Sequence, residues 1–138
     1  MILDKRGRDD DRSTRVLGEL VDKITILQIK SDRMTDEAKL ANVRKELALL
    51  TEKLGDHARN DEVSRLTKAL YDVNAALWDI EDDIRDCENA GDFGDKFVQL
   101  ARSVYITNDK RAELKREVNF ALGSGLMEEK SYQKYKVQ

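Results

Sequence analysis

Between Val63 and Cys87, apolar residues recur at alternating intervals of three and four. The eight positions are Val63, Leu66, Leu70, Val73, Leu77, Ile80, Ile84 and Cys87. This repeat is typical of a helix that buries one seam against neighbouring helices over several heptads. The chain of 138 residues also contains no proline, the residue that most strongly interrupts a helix. We therefore expect an all-α protein built from long helices.

Three other segments show the same helical periodicity. The four predicted helices run from about Thr14 to Arg33, from Thr35 to Leu54, from Asp61 to about Ala90 and from Asp95 to Leu122. Thr35 and Asp61 are predicted N-caps, and Gly55 is a predicted helix stop. Apolar residues cover most of the circumference of the first helix, so we expect it either to be central or to lie between the bundle and another subunit.

Short connections between successive helices predict antiparallel neighbours, and hence an up-down four-helix bundle. Residues 1–13 are predicted to be a mobile charged arm, and residues 14–138 a single helical domain that ends in a short C-terminal segment. The third and fourth helices are the longer pair. Residues 80–105 are therefore expected to extend past the first two helices and to expose apolar positions. The exposed positions would include Ile80, Ile84, Phe93 and Phe97. Such a surface is usually covered by another subunit, so we expect a homodimer.

Composition narrows the classes of partner. Charged residues make up 38% of the chain, but the net charge is only −3 and acids and bases are interleaved. We therefore expect neither nucleic acid nor a membrane surface as a partner. No apolar run is long enough for a signal peptide or a membrane span. The single cysteine, Cys87, cannot form an internal disulfide and is expected to be a buried thiol on the apolar seam, which together with the missing signal peptide favours a cytoplasmic protein. The sequence contains no glycine-rich phosphate loop, paired cysteines or zinc-ligand spacing, so we expect no cofactor.

The apolar seam of the fourth helix turns polar in its middle. Its positions are Phe97, Ala101, Val104, Asn108, Arg111, Lys115, Val118 and Leu122. Counting along the folded helices places Asn74 and Gln28 at a similar height, so we expect a polar layer of Gln28, Asn74, Asn108, Arg111 and Lys115. This layer has three interpretations. It sets the helix register, as buried asparagine does in coiled coils; its cations extend to solvent along the seam edge; or it binds a small carboxylate or phosphate.

Carboxylates at three-residue spacing suggest a different class of function. Glu19 and Asp22 share one face of the first helix, and Asp79 and Asp82 share one face of the third. All-α nucleotide pyrophosphohydrolases hold Mg²⁺ with such pairs, and hard cations prefer oxygen ligands. A Mg²⁺-dependent phosphohydrolase is the alternative hypothesis, in which Mg²⁺ is the cofactor. At this charge density a solvated acidic face produces the same spacing.

The leading interpretation is a non-catalytic, dimeric interaction module. Its candidate surface lies around the turn between the third and fourth helices and comprises Trp78, Glu81, Arg85, Phe93 and Tyr105. Tryptophan and tyrosine are enriched at interfaces because they combine apolar area with a polar group. The acidic face beside Trp78 would contact a protein partner.

Several residue strings resemble a known family. They are LGELVDKITIL at 17–27, KLANVRKELALL at 39–50, LWDIEDDIR at 77–85, GDFG at 91–94, RSVY at 102–105, NDKR at 108–111 and EEKSY at 128–132. Together they resemble DUF6165, a small helical family of bacteria and phages, over about residues 16–135. The resemblance implies a single helical domain. It brings no activity, substrate or catalytic residue with it.

Overall fold

The structure, a computed structural model, describes the backbone of residues 2–123 and the side chains of residues 17–123. Within that range the fold is all-helical, with four α-helices and one short 3-10 helix at Gly55–Arg59. The α-helices are α1 (Ile2–Arg33), α2 (Glu37–Leu54), α3 (Asp61–Ala90) and α4 (Asp95–Leu122). The predicted C-terminal segment lies outside the described residues. No described helix is both long enough and apolar enough to cross a membrane.

The ends of the helices follow local capping chemistry. The predicted bounds of α4 are confirmed, and Gly55 and Gly91 take positive φ angles of 56° and 68° after α2 and α3. The predicted N-caps are each one residue out. Asp36, not Thr35, accepts a hydrogen bond from the Lys39 amide, and Asn60, not Asp61, accepts from the amides of residues 62 and 63. In both pairs either residue type can cap, and the residue that does so has the extended backbone of an N-cap: φ −71°, ψ 116° at Asp36 and φ −67°, ψ 124° at Asn60.

α1 begins earlier than predicted. Its backbone is helical from Ile2, whereas periodicity predicted a start near Thr14. The difference has a physical reason, because arginine and lysine are good helix formers and extending an existing helix is far easier than nucleating one. Apolar periodicity marks only the part of a helix that packs, so it cannot detect a polar extension.

α1 is the central helix, one of the two positions that its apolar circumference predicted. It packs against α2, α3 and α4, while α2 packs mainly against α1. The core lies where α1, α3 and α4 meet, and Val21, Leu66, Leu70 and Val118 are completely buried there. Seven of the twelve residues from 18 to 29 are buried.

The ends of α3 and α4 beside the turn that joins them are much less buried than the core. α1 ends at Arg33, whose guanidinium binds the Asp79 carboxylate at 2.6 Å. From that level α3 continues for eleven more residues to Ala90, roughly 16 Å. We call residues 80–105 the tip. Its one buried residue is Cys87, which is a free thiol as predicted. Of the four apolar tip residues predicted to be exposed, Phe93 is exposed, whereas Ile80, Ile84 and Phe97 are half-buried between α3 and α4.

Candidate functional site

A buried carboxylate joins three helices. Asp22, on α1, is only 3% exposed. From α4, Arg111 donates to it twice, from Nε to Oδ1 at 2.9 Å and from Nη2 to Oδ2 at 2.6 Å. From α3, Asn74 donates Nδ2–H to the same Oδ1 at 2.9 Å. This two-point guanidinium–carboxylate geometry is the strongest and most directional form of the pair.

Thr25 completes this network. Its hydroxyl donates to the backbone carbonyl of Asp22 at 2.7 Å and accepts a second hydrogen bond from Asn74 Nδ2 at 2.9 Å. Thr25 is 1% exposed and Asn74 is 6% exposed. Among the residues whose side chains are described, every buried side-chain nitrogen and oxygen has a hydrogen-bond partner. We call Asp22, Thr25, Asn74 and Arg111 the polar network; its buried nitrogens and oxygens all have hydrogen-bond partners, as stability requires.

The network fixes the charge of its two ionised members. Burial raises the pKa of Asp22, but hydrogen bonds from Arg111 and Asn74, with the positive charges of Arg111 and Lys115, outweigh burial and hold that pKa below its ordinary value. The hydrogen bond to Asp22 raises the pKa of Arg111. Both groups therefore stay charged at neutral pH.

The backbones of α1 and α4 pack closely at Gly18, one helical turn before Asp22 on α1. Gly18 donates its backbone N–H to Asn119 Oδ1 at 2.8 Å, and a Cβ at position 18 would meet the Lys115 carbonyl oxygen at 2.7 Å. Beside it, Lys115 Nζ binds Glu19 at 2.8 Å. Only glycine permits α1 and α4 to approach this closely.

The predicted polar layer is assembled in part. Asn74 and Arg111 meet in the polar network, and Lys115 lies about one turn away on α4. Gln28 does not join them, because it is exposed and donates to Asp32 on its own helix at 3.2 Å. Asn108 is also exposed, although it borders the same region.

A cavity of about 330 Å³ lies beside the polar network. Its apolar wall consists of Ile26, Ile29, Leu77 and Trp78, and its polar wall of Lys30, Asn74, Glu81, Asn108 and Arg111. A larger cavity, about 730 Å³, lies at the end of the described chain. Its lining includes three glutamates, Glu62, Glu113 and Glu117, and it contains none of the predicted site residues.

The four candidate magnesium ligands do not come together. Asp22 and Glu19 pair with Arg111 and Lys115 near the middle of α1. Asp79 pairs with Arg33 at the end of α1, about three turns away, and Asp82 contacts Arg85 at 3.4 Å on its own helix. The side chains described between residues 17 and 123 contain no group of three potential metal ligands. Each of the four carboxylates already has a positively charged partner, and the two helical pairs are too far apart to share one ion.

The candidate interaction residues occupy the tip and its base. Trp78 is half-buried and lies 6.0 Å beneath the Arg33 guanidinium, within cation–π range. Phe93 packs edge-to-face on Phe97 with ring centroids 5.2 Å apart, yet remains 55% exposed. Tyr105 is 56% exposed. Glu81 and Arg85 are exposed on α3. Four of the five are exposed, and Trp78 is half-buried at the base of the tip.

Comparison with known proteins gives a family. The model of the Family of unknown function (DUF6165) matches residues 15–136. The chain belongs to this family. Neither a curated protein nor a solved structure gives a significant match. The resemblance recognised from the residue strings is thus confirmed, over nearly the same range.

Sequence reasoning missed Thr25 and Lys30 in this DUF6165 chain, and it placed Asp22 in a candidate magnesium site, whereas the structure pairs it with Arg111. A signal for Asp22 and Thr25 was present, because both are polar residues three positions apart in a run that is otherwise almost wholly apolar. On a central helix such positions are buried, and a buried carboxylate requires a cation. Lys30 carried no such signal, since a lysine in the last turn of a helix is common for electrostatic reasons alone.

Proposed function

We propose that this protein is a non-catalytic helical interaction module that pairs with a second copy of itself through one face of α4 at the tip. The observation that carries the proposal is the exposure of large apolar side chains from Phe93, just before α4, to Ile106, just past the tip. Phe93 is 55% exposed, Val98 47%, Tyr105 56% and Ile106 59%. Single exposed apolar residues are common on any protein, but four within fourteen residues of one segment are typical of an interaction surface.

We also infer an up-down order of the helices, which determines how the tip is presented. In the contacts between α1 and α4, residue numbers fall along α4 as they rise along α1, so the two helices are antiparallel. The pairs are Gly18 with Asn119, Glu19 with Lys115, and Asp22 with Arg111. In the contacts between α1 and α3, residue numbers rise along both helices, from Thr25 with Asn74 to Arg33 with Asp79, so these two helices are parallel. This order supports a tip that leaves the bundle as a pair of antiparallel helices.

Charge complementarity favours a second copy as the occupant. Asp95, Val98, Arg102 and Tyr105 recur at intervals of three and four, so they share one face of α4. An antiparallel pairing about a two-fold axis near Val98 sets Asp95 of each copy opposite Arg102 of the partner subunit, because residues 95 and 102 lie equally far from that axis. One such axis creates two ion pairs around an apolar centre.

Both charged residues are available for this pairing. Asp95 and Arg102 are exposed, and among the described residues neither forms an ion pair within its own chain. An ion pair at the rim of an interface contributes mainly to register and specificity, whereas the apolar centre provides most of the binding free energy.

The test is the oligomeric state of charge-reversal variants, measured by sedimentation velocity across a concentration series. We expect a wild-type dimer, a larger dissociation constant for Asp95→Arg and for Arg102→Glu, and recovery in the variant that carries both changes. Lys96→Glu is the matched control, because residue 96 lies on the opposite side of α4 and is also exposed. A wild-type protein that remains monomeric at all concentrations refutes the proposal. A dimer that ignores both reversals refutes this interface.

A further inference from the structure

We propose that the cavity between α1, α3 and α4 binds a small zwitterion of the amino-acid class, with its carboxylate at Arg111, Lys30 and Asn108 and its ammonium group at Glu81. This site is separate from the pairing surface on α4, since none of the residues lining the cavity belongs to that face. The proposal therefore holds or fails independently of dimer formation.

The size of the cavity limits the ligand. Its volume of about 330 Å³ is at the small end of the range of about 300–1,000 Å³ for small-molecule sites. A ligand of amino-acid size fits this space. The wall combines an apolar side, which includes Trp78 and Leu77, with a few charged or amide groups, the composition expected of a specific small-molecule site.

Arg111 is preorganised to bind a second carboxylate. Asp22 occupies its Nε and one Nη2 hydrogen, while Nη1 has no hydrogen-bond partner among the described residues. Its side chain is 29% exposed and lines the cavity. Asn74 and Thr25 hold Asp22 in place behind it. A guanidinium whose orientation is fixed by such a supporting shell loses little entropy when a ligand binds its free edge.

Two further donors face the same cavity. Lys30 and Asn108 line it, and neither forms an ion pair or a side-chain hydrogen bond among the described residues. An ammonium and an amide N–H both donate to a carboxylate. Lys30 comes from α1 and Asn108 from α4, so a carboxylate held between them and Arg111 receives donors from more than one direction.

Glu81 distinguishes a zwitterion from a simple anion. It lines the cavity from α3, and its charge contributes to the raised pKa of Arg111, which places the two groups within electrostatic range. Counting Asp22, the cavity region has two positive and two negative groups, so it has no net attraction for an anion. A ligand with both charges satisfies Arg111 and Glu81 at once. Its apolar side chain can then lie against Trp78.

Trp78 makes the test direct, because it is the single tryptophan of the chain and lines the cavity. The probe is L-leucine, titrated while the tryptophan emission is recorded and checked by isothermal titration calorimetry. Matched probes are 4-methylpentanoate, which lacks the ammonium group, isopentylamine, which lacks the carboxylate, and inorganic phosphate. We expect saturable binding of leucine and at least tenfold weaker binding of the other three.

Two variants distinguish a loss of ligand binding from a loss of folding. Glu81→Gln changes an exposed residue with no hydrogen bond among the described residues, so the helices remain intact. It should weaken leucine binding at least tenfold and reduce the preference for leucine over 4-methylpentanoate. Glu88→Gln, two turns further along α3 and outside the cavity, should leave both unchanged. If no probe gives saturable binding, or if leucine and 4-methylpentanoate bind equally well to the wild type, the proposal is wrong.

Discussion

The middle of α1 and the tip differ in burial although both carry helical apolar periodicity. Seven of the twelve residues from 18 to 29 are buried, whereas from 78 to 113 the one buried residue is Cys87. The middle of α1 has three helical neighbours, whereas α3 continues for eleven residues beyond Asp79, which pairs with the last residue of α1. A seam of period 3.5 requires one partner helix; complete burial requires several. The number of neighbours, rather than the strength of the pattern, therefore decides where the core forms.

The largest expected contrast is between two aspartate ion pairs. Asp22→Asn weakens a buried pair and leaves the Arg111 cation without its counterion. We expect a loss of about 3 kcal/mol in the free energy of unfolding, the low end for buried pairs because Arg111 is partly exposed. Asp79→Asn makes the same change in the Arg33 pair, whose aspartate side chain is 63% exposed. We expect no measurable change there. Urea denaturation followed by circular dichroism checks both, and equal losses would contradict the contrast.

The same pair predicts a pH dependence. The pKa of Asp22 is lower in the folded protein than its ordinary value of 3.8, so the ionised carboxylate stabilises the fold above that value. This contribution is lost as the pH falls from about 4 through the folded-state pKa. The difference in melting temperature between the wild type and Asp22→Asn should therefore be constant from pH 5 to 7 and become smaller below pH 4. A constant difference down to pH 2.5 would show that the carboxylate charge is not involved.

Two valine-to-alanine substitutions on α4 should differ less in their effect on the free energy of unfolding. Val118 is completely buried and Val98 is 47% exposed. Val118→Ala should cost about 2 kcal/mol in the free energy of unfolding, from lost burial and the cavity left behind. Val98→Ala should change it by less than about 0.5 kcal/mol at concentrations where the protein is monomeric. Chemical denaturation of both variants measures the difference, and a large effect at Val98 in the monomer would contradict the exposure of that side chain.

The smallest contrast compares two glycines. Gly18→Ala adds a methyl group against the Lys115 carbonyl, which forces α1 and α4 apart. The strain, about 1–3 kcal/mol, exceeds the gain of about 1 kcal/mol from better helix propensity, so a net loss of about 1 kcal/mol is expected. At Gly94, the N-cap of α4, the nearest atom to an added Cβ is 3.4 Å away, so Gly94→Ala should cost only the poorer capping of alanine, about 0.5 kcal/mol. Thermal unfolding by calorimetry compares the two. A stabilised Gly18→Ala variant would show that the helices do not pack this closely.

The helices themselves could be predicted because their signals are local. Gly91 and the periodicity of α4 define helix ends within a few residues, without reference to the rest of the molecule. That α1 has several neighbours also followed from its sequence, since a helix that is apolar on several sides must bury each of them.

The polar network could be predicted only in part, because its contacts are not local. Residue counting gives the height of a residue along the bundle only to about one turn. Lys115 lies about one turn from Arg111 on α4, so counting alone does not decide which of the two cations Asp22 contacts. Rotation about each helix axis is a second unknown, and it decides that Asn74 faces Asp22 while Gln28 faces solvent. Both quantities are set by side-chain packing across three helices, which a single-sequence pattern does not contain.

Cys87 gives the tip a chemical reporter of its own motion. Cys87 is 3% exposed and is the one cysteine of the chain. A thiol reagent can reach it only while α3 and α4 separate or unfold locally, so the alkylation rate under native conditions measures how often the tip opens. Because the middle of α1 contains no cysteine, this reaction reports the less buried region alone, without an introduced label.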